Sequence, residues 1–338
     1  NPKEYEKVEN DMGLTNSNSI WRNKEDAIEY MKIDTINEAL DFFTVYWNTG
    51  RDVHPPLFYF LVHIVSIFFY NTFSKYIIFI INLVFFLATC VIIKKILKKI
   101  DKDYLSVPTL ILYGMSIGAI STVMFQRMYA MLTFFTVYFL YINLKVYFNN
   151  FKLDKKLKIE LCIVTILGFL TQYYFCIYAV FVALVMIIIM LKCKYKEYIK
   201  IYFMQFVKSA VVGVLIFLPS IYHIFFSYRG AGSSGNEYAF VENLLEFIKN
   251  TFLAFSLANV LGVGITIIII VSLIYNFRKS DRKALLCILI IPIILNFICV
   301  VKMSPYRSLR YVMNILPIIS LVVMLIIESI FKNKKLSV

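Results

Sequence analysis

Four side chains at the ends of apolar runs carry groups suited to binding an anion or moving a proton. Asp52 and His54 stand just before one run, and Arg127 and Arg310 stand just before two others. Tyrosines accompany them at Tyr129, Tyr173 and Tyr311. A guanidinium group binds phosphate through a planar, two-pronged set of N–H donors. The set therefore predicts a site for an anionic group, namely phosphate, if the chain brings these ends together.

Each of these residue types also has a structural interpretation. A tyrosine at the end of a membrane span commonly anchors the span at the interface. Arg229, Lys302 and Arg307 can extend to lipid headgroups instead of a ligand. His54 precedes Pro55-Pro56, which fix the backbone where a helix begins, so it can serve as a cap. His63 lies within an apolar run, where packing is the simpler role.

The elements that must position these side chains are membrane spans. Of the 338 residues 60% are hydrophobic and 17% are charged, whereas soluble domains are about half apolar and a quarter charged. Runs such as Ile77–Ile93 and Phe175–Leu191 approach the roughly 20 apolar residues that cross a bilayer. The sequence therefore predicts an all-α, polytopic membrane protein with about nine spans. They are 76–94, 104–124, 128–147, 158–172, 173–192, 203–226, 258–277, 284–302 and 311–331.

The lysines and arginines set the orientation of these spans. They cluster near 94–102, 152–158, 192–200, 278–283 and 332–335, and a pair of apolar runs lies between consecutive clusters. All five clusters then fall on one side, which the positive-inside rule makes cytoplasmic. Asp52, His54, Arg127 and Arg310 consequently share the outer side.

Three regions follow from this orientation. Residues 1–75 form an outer region in which the short apolar stretch 57–72 is a juxtamembrane helix. Residues 76–331 form the transmembrane domain, and 332–338 form a basic cytoplasmic tail. Residues 243–255 have helical apolar spacing that suits a second interfacial helix.

Composition also excludes several function classes. The net charge of +14 follows the inner loops, so it is a topogenic and lipid-headgroup signal and does not indicate a nucleic-acid partner. The six cysteines lie in or beside apolar runs without CxxC spacing, which indicates neither a disulfide framework nor a metal site. No cofactor is indicated, and a divalent metal has no support from ligand spacing.

Four segments resemble a known enzyme family. Asp52–Tyr59 (DVHPPLFY) resembles the D-x-H-P-P-L-x-Y signature of glycosyltransferase family 39 and its bacterial relatives, which are GT-C membrane enzymes. Gln126–Leu132, Leu170–Phe175 and Arg310–Pro317 resemble three later segments of that family, in the same order. The first match is fairly specific, and the last two are weak alone.

The resemblance implies a GT-C-like fold with outer juxtamembrane helices. It implies transfer of a sugar, with inversion, from a polyprenyl-phosphate donor to a lipid, glycan or protein acceptor at the outer face. Asp52 and His54 would act catalytically, while Arg127, Tyr129, Tyr173, Arg310 and Tyr311 would bind substrate. The family's main base belongs to an Asp-Glu pair after a first span, which is expected upstream of Asn1; otherwise Asp34, Asp41 or Asp52 must substitute for it.

Two other interpretations remain. A transporter or flippase of a lipid-linked saccharide would need polar groups at mid-membrane, for which Asn82 and Asn296 are candidates, although interhelical hydrogen bonds explain both. An inactive, truncated membrane protein is the other alternative. Lys-, Ile- and Asn-rich usage suits the cell envelope of a bacterium, with the chain in its plasma membrane.

Overall fold

The computed structural model describes residues 32–51, 54–218, 240–255, 283–304 and 308–335. Within these ranges every regular element is a helix, which confirms the predicted all-α class at that level. Asp52 and the predicted span 258–277 lie outside the described residues.

The described part of residues 1–75 contains three short helices. They are α1 (Ile36–Leu40), α2 (Phe42–Arg51) and α3 (Leu57–Ile67). The 11 residues of α3 would extend about 16 Å, roughly half of a hydrocarbon core of about 30 Å. This helix is therefore too short to cross a bilayer, as expected of a juxtamembrane helix.

Ten further helices are described in the rest of the chain. They are α4 (Lys75–Lys99), α5 (Ser106–Gly114), α6 (Ile117–Met124), α7 (Tyr129–Phe148), α8 (Lys155–Thr171), α9 (Tyr174–Lys192), α10 (Lys196–Ile216), α11 (Phe240–Phe255), α12 (Lys283–Met303) and α13 (Leu316–Lys335). Short 3-10 turns cover Asp103–Leu105, Leu309–Tyr311 and Met313–Ile315.

Among the described residues six helices are long and apolar enough to cross a membrane, or seven if a bent pair is one span. The six are α4, α7, α9, α10, α12 and the stretch Met313–Phe331 that leads into α13. The chain is thus a multi-pass membrane protein.

Two predicted spans differ from expectation. The stretch 104–124 is two helices, α5 and α6, bent by 65°. Ser116 explains the break: its hydroxyl accepts the Ala119 N–H at 3.1 Å and donates to the Tyr113 carbonyl at 2.6 Å, so a new helix starts there. The predicted span 158–172 is the 17-residue α8, which is shorter than the six spans above.

Side-chain contacts bring several basic clusters to one end of the bundle. Lys102 pairs with Glu328 of α13 at 2.5 Å, and the Lys99 ammonium lies 5.4 Å from the centre of the Phe148 ring. The Phe151 ring lies 5.2 Å from that of Tyr195. The clusters at 94–102, 152–158 and 192–200 are therefore neighbours, as the charge pattern predicts.

Helix α7 lies at the centre of the bundle and contacts α4, α8, α9 and the turn Met313–Ile315. Its polar side chains are hydrogen-bonded inside the protein: Tyr202 donates to Asn143 at 2.5 Å, and Asn314 donates to Thr136 at 3.4 Å. An unpaired polar group in a lipid-like interior is costly, so these bonds fix helix register. The Asn314 bond anchors the turn that follows Arg310.

Candidate functional site

The beginning of α3 positions His54. Pro56 precedes the helix at its N-cap, and the His54 backbone N–H donates to the Thr49 carbonyl of α2 at 3.3 Å. The His54 ring then lies edge-on to the ring of Tyr59, with 6.4 Å between their centres. His54 is thus held beside the first turn of α3 by both neighbouring helices.

The connection between α6 and α7 positions Arg127. The turn is tight, because the Arg127 backbone N–H donates to the carbonyl of Phe125. The Arg127 side chain is exposed, whereas Tyr129, the first residue of α7, is only 3% exposed. Arg127 therefore faces outward while Tyr129 faces the protein interior.

The 3-10 turn Leu309–Tyr311 positions the second arginine. Arg310 folds back over its own neighbour: its Nη2 donates to the Tyr311 hydroxyl at 2.7 Å, and its guanidinium carbon lies 4.8 Å from the centre of that ring. On the other side Tyr311 packs against Tyr174 of α9, with 5.0 Å between ring centres. This arrangement combines a cation–π contact with a charge-assisted hydrogen bond.

Tyr129 links the two arginines. It lies within electrostatic range of Arg310, Tyr311, Arg127 and Tyr59. The structure therefore brings together what we call the arginine–tyrosine cluster: Tyr59, Tyr129, Tyr174, Arg310 and Tyr311, with His54 and Arg127 at its edge.

The cluster favours a permanent positive charge. Burial lowers the pKa of Arg310, but the hydrogen bond to Tyr311 and the nearby Tyr129 and Tyr174 hydroxyls outweigh it, and the net direction is upward. A half-buried cation among aromatic rings at the end of several spans is suited to an anion presented from the membrane.

Tyr173 lies away from this cluster. Its ring packs between Phe169 and Phe217, at 6.2 and 5.8 Å from their centres. Its hydroxyl is buried and makes no hydrogen bond within the described part of the chain. The structure therefore does not bring this predicted substrate-binding residue to the arginines.

Two members of the cluster were not among the predicted site residues. Tyr174 follows Tyr173 directly, and Tyr59 is the last residue of the first family-like segment. Both stood inside quoted motifs, so the motif was the signal that could have found them.

The two described carboxylates that could replace an upstream base have local structural roles. Asp41 caps α2, accepting from the Thr44 N–H at 2.9 Å and from its hydroxyl at 2.7 Å. Asp34 lies 3.8 Å from the Lys32 ammonium. Within the residues the structure describes, no group of three or more His, Cys, Asp or Glu side chains could hold a metal ion.

Compared with protein-family models, curated proteins and solved structures, the chain gives no significant match. A function must therefore be inferred from the site itself. Two arginines, Arg127 and Arg310, are available to bind an anion. The hydroxyl and ring of Tyr311 contact Arg310, and the His54 ring lies beside the ring of Tyr59 in the same cluster.

Proposed function

We propose that this protein transfers a sugar from a polyprenyl-phosphate donor to an acceptor hydroxyl at the outer membrane face, with inversion. The observation that carries the proposal is the Arg310 guanidinium, which donates to the Tyr311 hydroxyl and lies over the ring of that tyrosine. The four family-like segments add support, since each of them places at least one residue in the arginine–tyrosine cluster.

The reaction mainly requires that the protein position the donor and acceptor and stabilise the charge on the leaving phosphate. The acceptor oxygen forms a bond to the anomeric carbon as the bond from that carbon to the phosphate oxygen breaks. The polyprenyl phosphate leaves with an added negative charge, which Arg310 and Arg127 stabilise. The acceptor proton passes to a carboxylate base of the outer region, for which Asp52 is a candidate.

Fixed cations are effective here because they need no reorganisation as charge develops on the leaving oxygen. The lipid tail of the donor would lie along the apolar outer surfaces of the spans. Its phosphate would then stand at the level of Arg310, where the chain leaves the helical register and enters its 3-10 turn.

The test is donor binding by the full chain in nanodiscs of phosphatidylethanolamine and phosphatidylglycerol. Polyprenyl phosphate should bind, uncharged polyprenol should bind far less, and Arg310→Gln should weaken phosphate binding about 100-fold, as expected for losing charge-assisted hydrogen bonds of about 1.5–3 kcal/mol. Lys302→Gln is the matched control, since Lys302 is an exposed cation at the end of α12. Equal affinities for wild type and Arg310→Gln would contradict the proposal.

One observation favours the alternative of a lipid-linked saccharide transporter. Broken helices often mark transport sites, and α5 and α6 meet at a 65° bend. The nearby Asn82 amide, however, donates to the Val123 carbonyl at 3.2 Å and so caps the end of α6. Asn296 is buried, and neither of its amide atoms is hydrogen-bonded within the described residues. Loss of saccharide translocation in vesicles on Asn296→Leu, with donor binding intact, would favour this class.

A further inference from the structure

A cleft lined by both polar and apolar side chains adjoins the arginine–tyrosine cluster at Tyr59 and is not used by the proposed phosphate site. It has a volume of about 270 Å³ and lies between α2, α3 and the residues that lead into α4. Pockets for drug-sized ligands have volumes of about 300–1,000 Å³, so this cleft suits a smaller head group.

One face of α3 forms a wall of this cleft. Of the eleven side chains of α3 only Tyr59, His63 and Ser66 carry polar atoms, and all three line the cavity. Their spacing of i, i+4 and i+7 puts them on one face of the helix. All the polar side chains of this otherwise apolar helix therefore line one cavity.

The facing walls supply further neutral hydrogen-bonding groups. Asn48 and Thr49 come from α2, and Thr72 and Ser74 come from the residues before α4. Thr49 donates to the Val45 carbonyl, so it is already engaged. The side chains of Asn48 and Ser66 make no hydrogen bond to other described residues and remain available to a ligand.

The lining also defines the charge of the ligand. Among the described residues that line the cleft, none is Lys, Arg, Asp or Glu. Burial lowers the pKa of His63, and its Nε2 donates to the Ala39 carbonyl at 3.1 Å, so this residue is held as a neutral donor. The cleft therefore offers amide, hydroxyl and aromatic groups without a counter-charge, which disfavours an ionic ligand.

Tyr59 connects this cleft to the phosphate site. It lines the cavity, contacts the His54 ring, and lies within electrostatic range of Tyr129. A ligand in the cleft would therefore contact Tyr59, a member of the arginine–tyrosine cluster.

We propose that this cleft binds a neutral, polyhydroxylated head group, and that this group is the sugar acceptor of the transfer reaction. Several hydrogen-bonding groups around two aromatic rings, Tyr59 and Phe73, match the hydroxyls and C–H faces of one sugar ring. The binding of a sugar rests on the cleft alone, while its role as acceptor rests on the proposed function.

The experiment uses the full chain in nanodiscs that contain no glycolipid or sugar detergent. Saturation-transfer NMR measures binding of methyl α-mannoside, methyl β-galactoside, methyl β-N-acetylglucosaminide and the anionic methyl glucuronide. At least one neutral glycoside should bind, and the glucuronide should bind at least tenfold more weakly. Absence of binding by every neutral glycoside, or preference for the glucuronide, would overturn the proposal.

Matched variants locate the binding. Ser66→Phe fills the cleft and should abolish the signal, whereas Ile64→Phe adds the same ring at a position that is 42% exposed and should not. Asn48→Leu keeps the side-chain size, removes the amide, and should weaken binding about tenfold. Monodisperse elution and an unchanged thermal midpoint show that each variant folds. Wild-type binding by folded Ser66→Phe would refute the site.

A parallel titration with polyprenyl phosphate separates this inference from the proposed function. Glycoside binding that Ser66→Phe abolishes, without any phosphate binding at Arg310, would support the sugar site and refute the transferase. Phosphate binding that depends on Arg310, without any glycoside binding, would support the transferase and refute this cleft.

Discussion

The bond between Arg310 and Tyr311 can be tested by removing one oxygen atom. Tyr311→Phe deletes the hydroxyl that accepts from Nη2 at 2.7 Å but keeps the ring 4.8 Å from the guanidinium carbon. It also keeps the ring that packs against Tyr174 at 5.0 Å. The variant therefore separates the orienting hydrogen bond from the aromatic support.

The magnitude follows from these two contributions. A hydrogen bond to a charged group contributes about 1.5–3 kcal/mol, and partial exposure of Arg310 points to the lower end of this range. About 1.4 kcal/mol is a tenfold change in Kd. A cation–π contact contributes a further ~0.5–2 kcal/mol. We expect polyprenyl phosphate to bind about tenfold more weakly to Tyr311→Phe and roughly 100-fold more weakly to Tyr311→Leu.

The assay is titration of nanodisc-embedded protein with polyprenyl phosphate, followed by native mass spectrometry. Tyr173→Phe serves as the control, because it removes a hydroxyl that lies away from the cluster and makes no hydrogen bond within the described residues, and its Kd should stay within about twofold of wild type. If Tyr311→Phe binds as tightly as wild type, the hydroxyl does not orient the cation and the reasoning fails.

Three further predictions concern packing, pH and orientation. Gly168→Ala would place a Cβ 2.5 Å from the Phe175 ring and should destabilise the protein by about 1–3 kcal/mol. Gly114→Ala is the control and should not destabilise the protein, because its nearest contact lies at 3.4 Å. Thermal unfolding in detergent compares the two variants. Burial lowers the pKa of His63, so the folded state disfavours its charged form. The free energy of unfolding should therefore decrease as pH falls below about 6.5, and His63→Gln should show a smaller decrease. The exposed Cys193 follows α9 at the basic end, so a membrane-impermeant maleimide should label it in inverted vesicles and not in intact cells; the reverse result would overturn the orientation.

Six of the nine predicted spans are described helices long and apolar enough to cross a membrane, and these were predictable because the signal of an apolar run is long and redundant. Helix α4 extends over the whole apolar run 77–93, and its basic end at Lys98 and Lys99 also fixes its direction. The break between α5 and α6 was not predictable in this way, because it depends on the hydrogen bonds of the Ser116 hydroxyl with the Tyr113 carbonyl and the Ala119 N–H. The length of an apolar run predicts whether a helix can cross a membrane, but it does not predict where that helix bends.

The site shows a similar division. Charge parity along the chain predicts that Arg127 and Arg310 stand at the ends of spans on one side of the membrane. Charge parity does not predict which of the adjacent Tyr173 and Tyr174 lies near Arg310, because consecutive residues at a helix start point about 100° apart. Tyr174 faces Tyr311 and Tyr173 faces Phe217. The packing of α8, α9 and α10 determines these two side-chain directions. A motif that names both tyrosines cannot separate them.

The backbone around Arg310 explains why this end of the bundle can hold a cation. Non-helical backbone near membrane depth is tolerated where protein encloses it, since lipid offers no hydrogen bonds. The two 3-10 turns here contact α6, α7 and α11, and Asn314 ties them to Thr136 inside α7. Tyr311 to Leu316 are all buried while Arg310 is half-buried, so one charged side chain emerges from a rigid segment. A flexible loop would let that arginine reach lipid headgroups; the enclosed turn keeps it against Tyr311, where a donor phosphate would meet it.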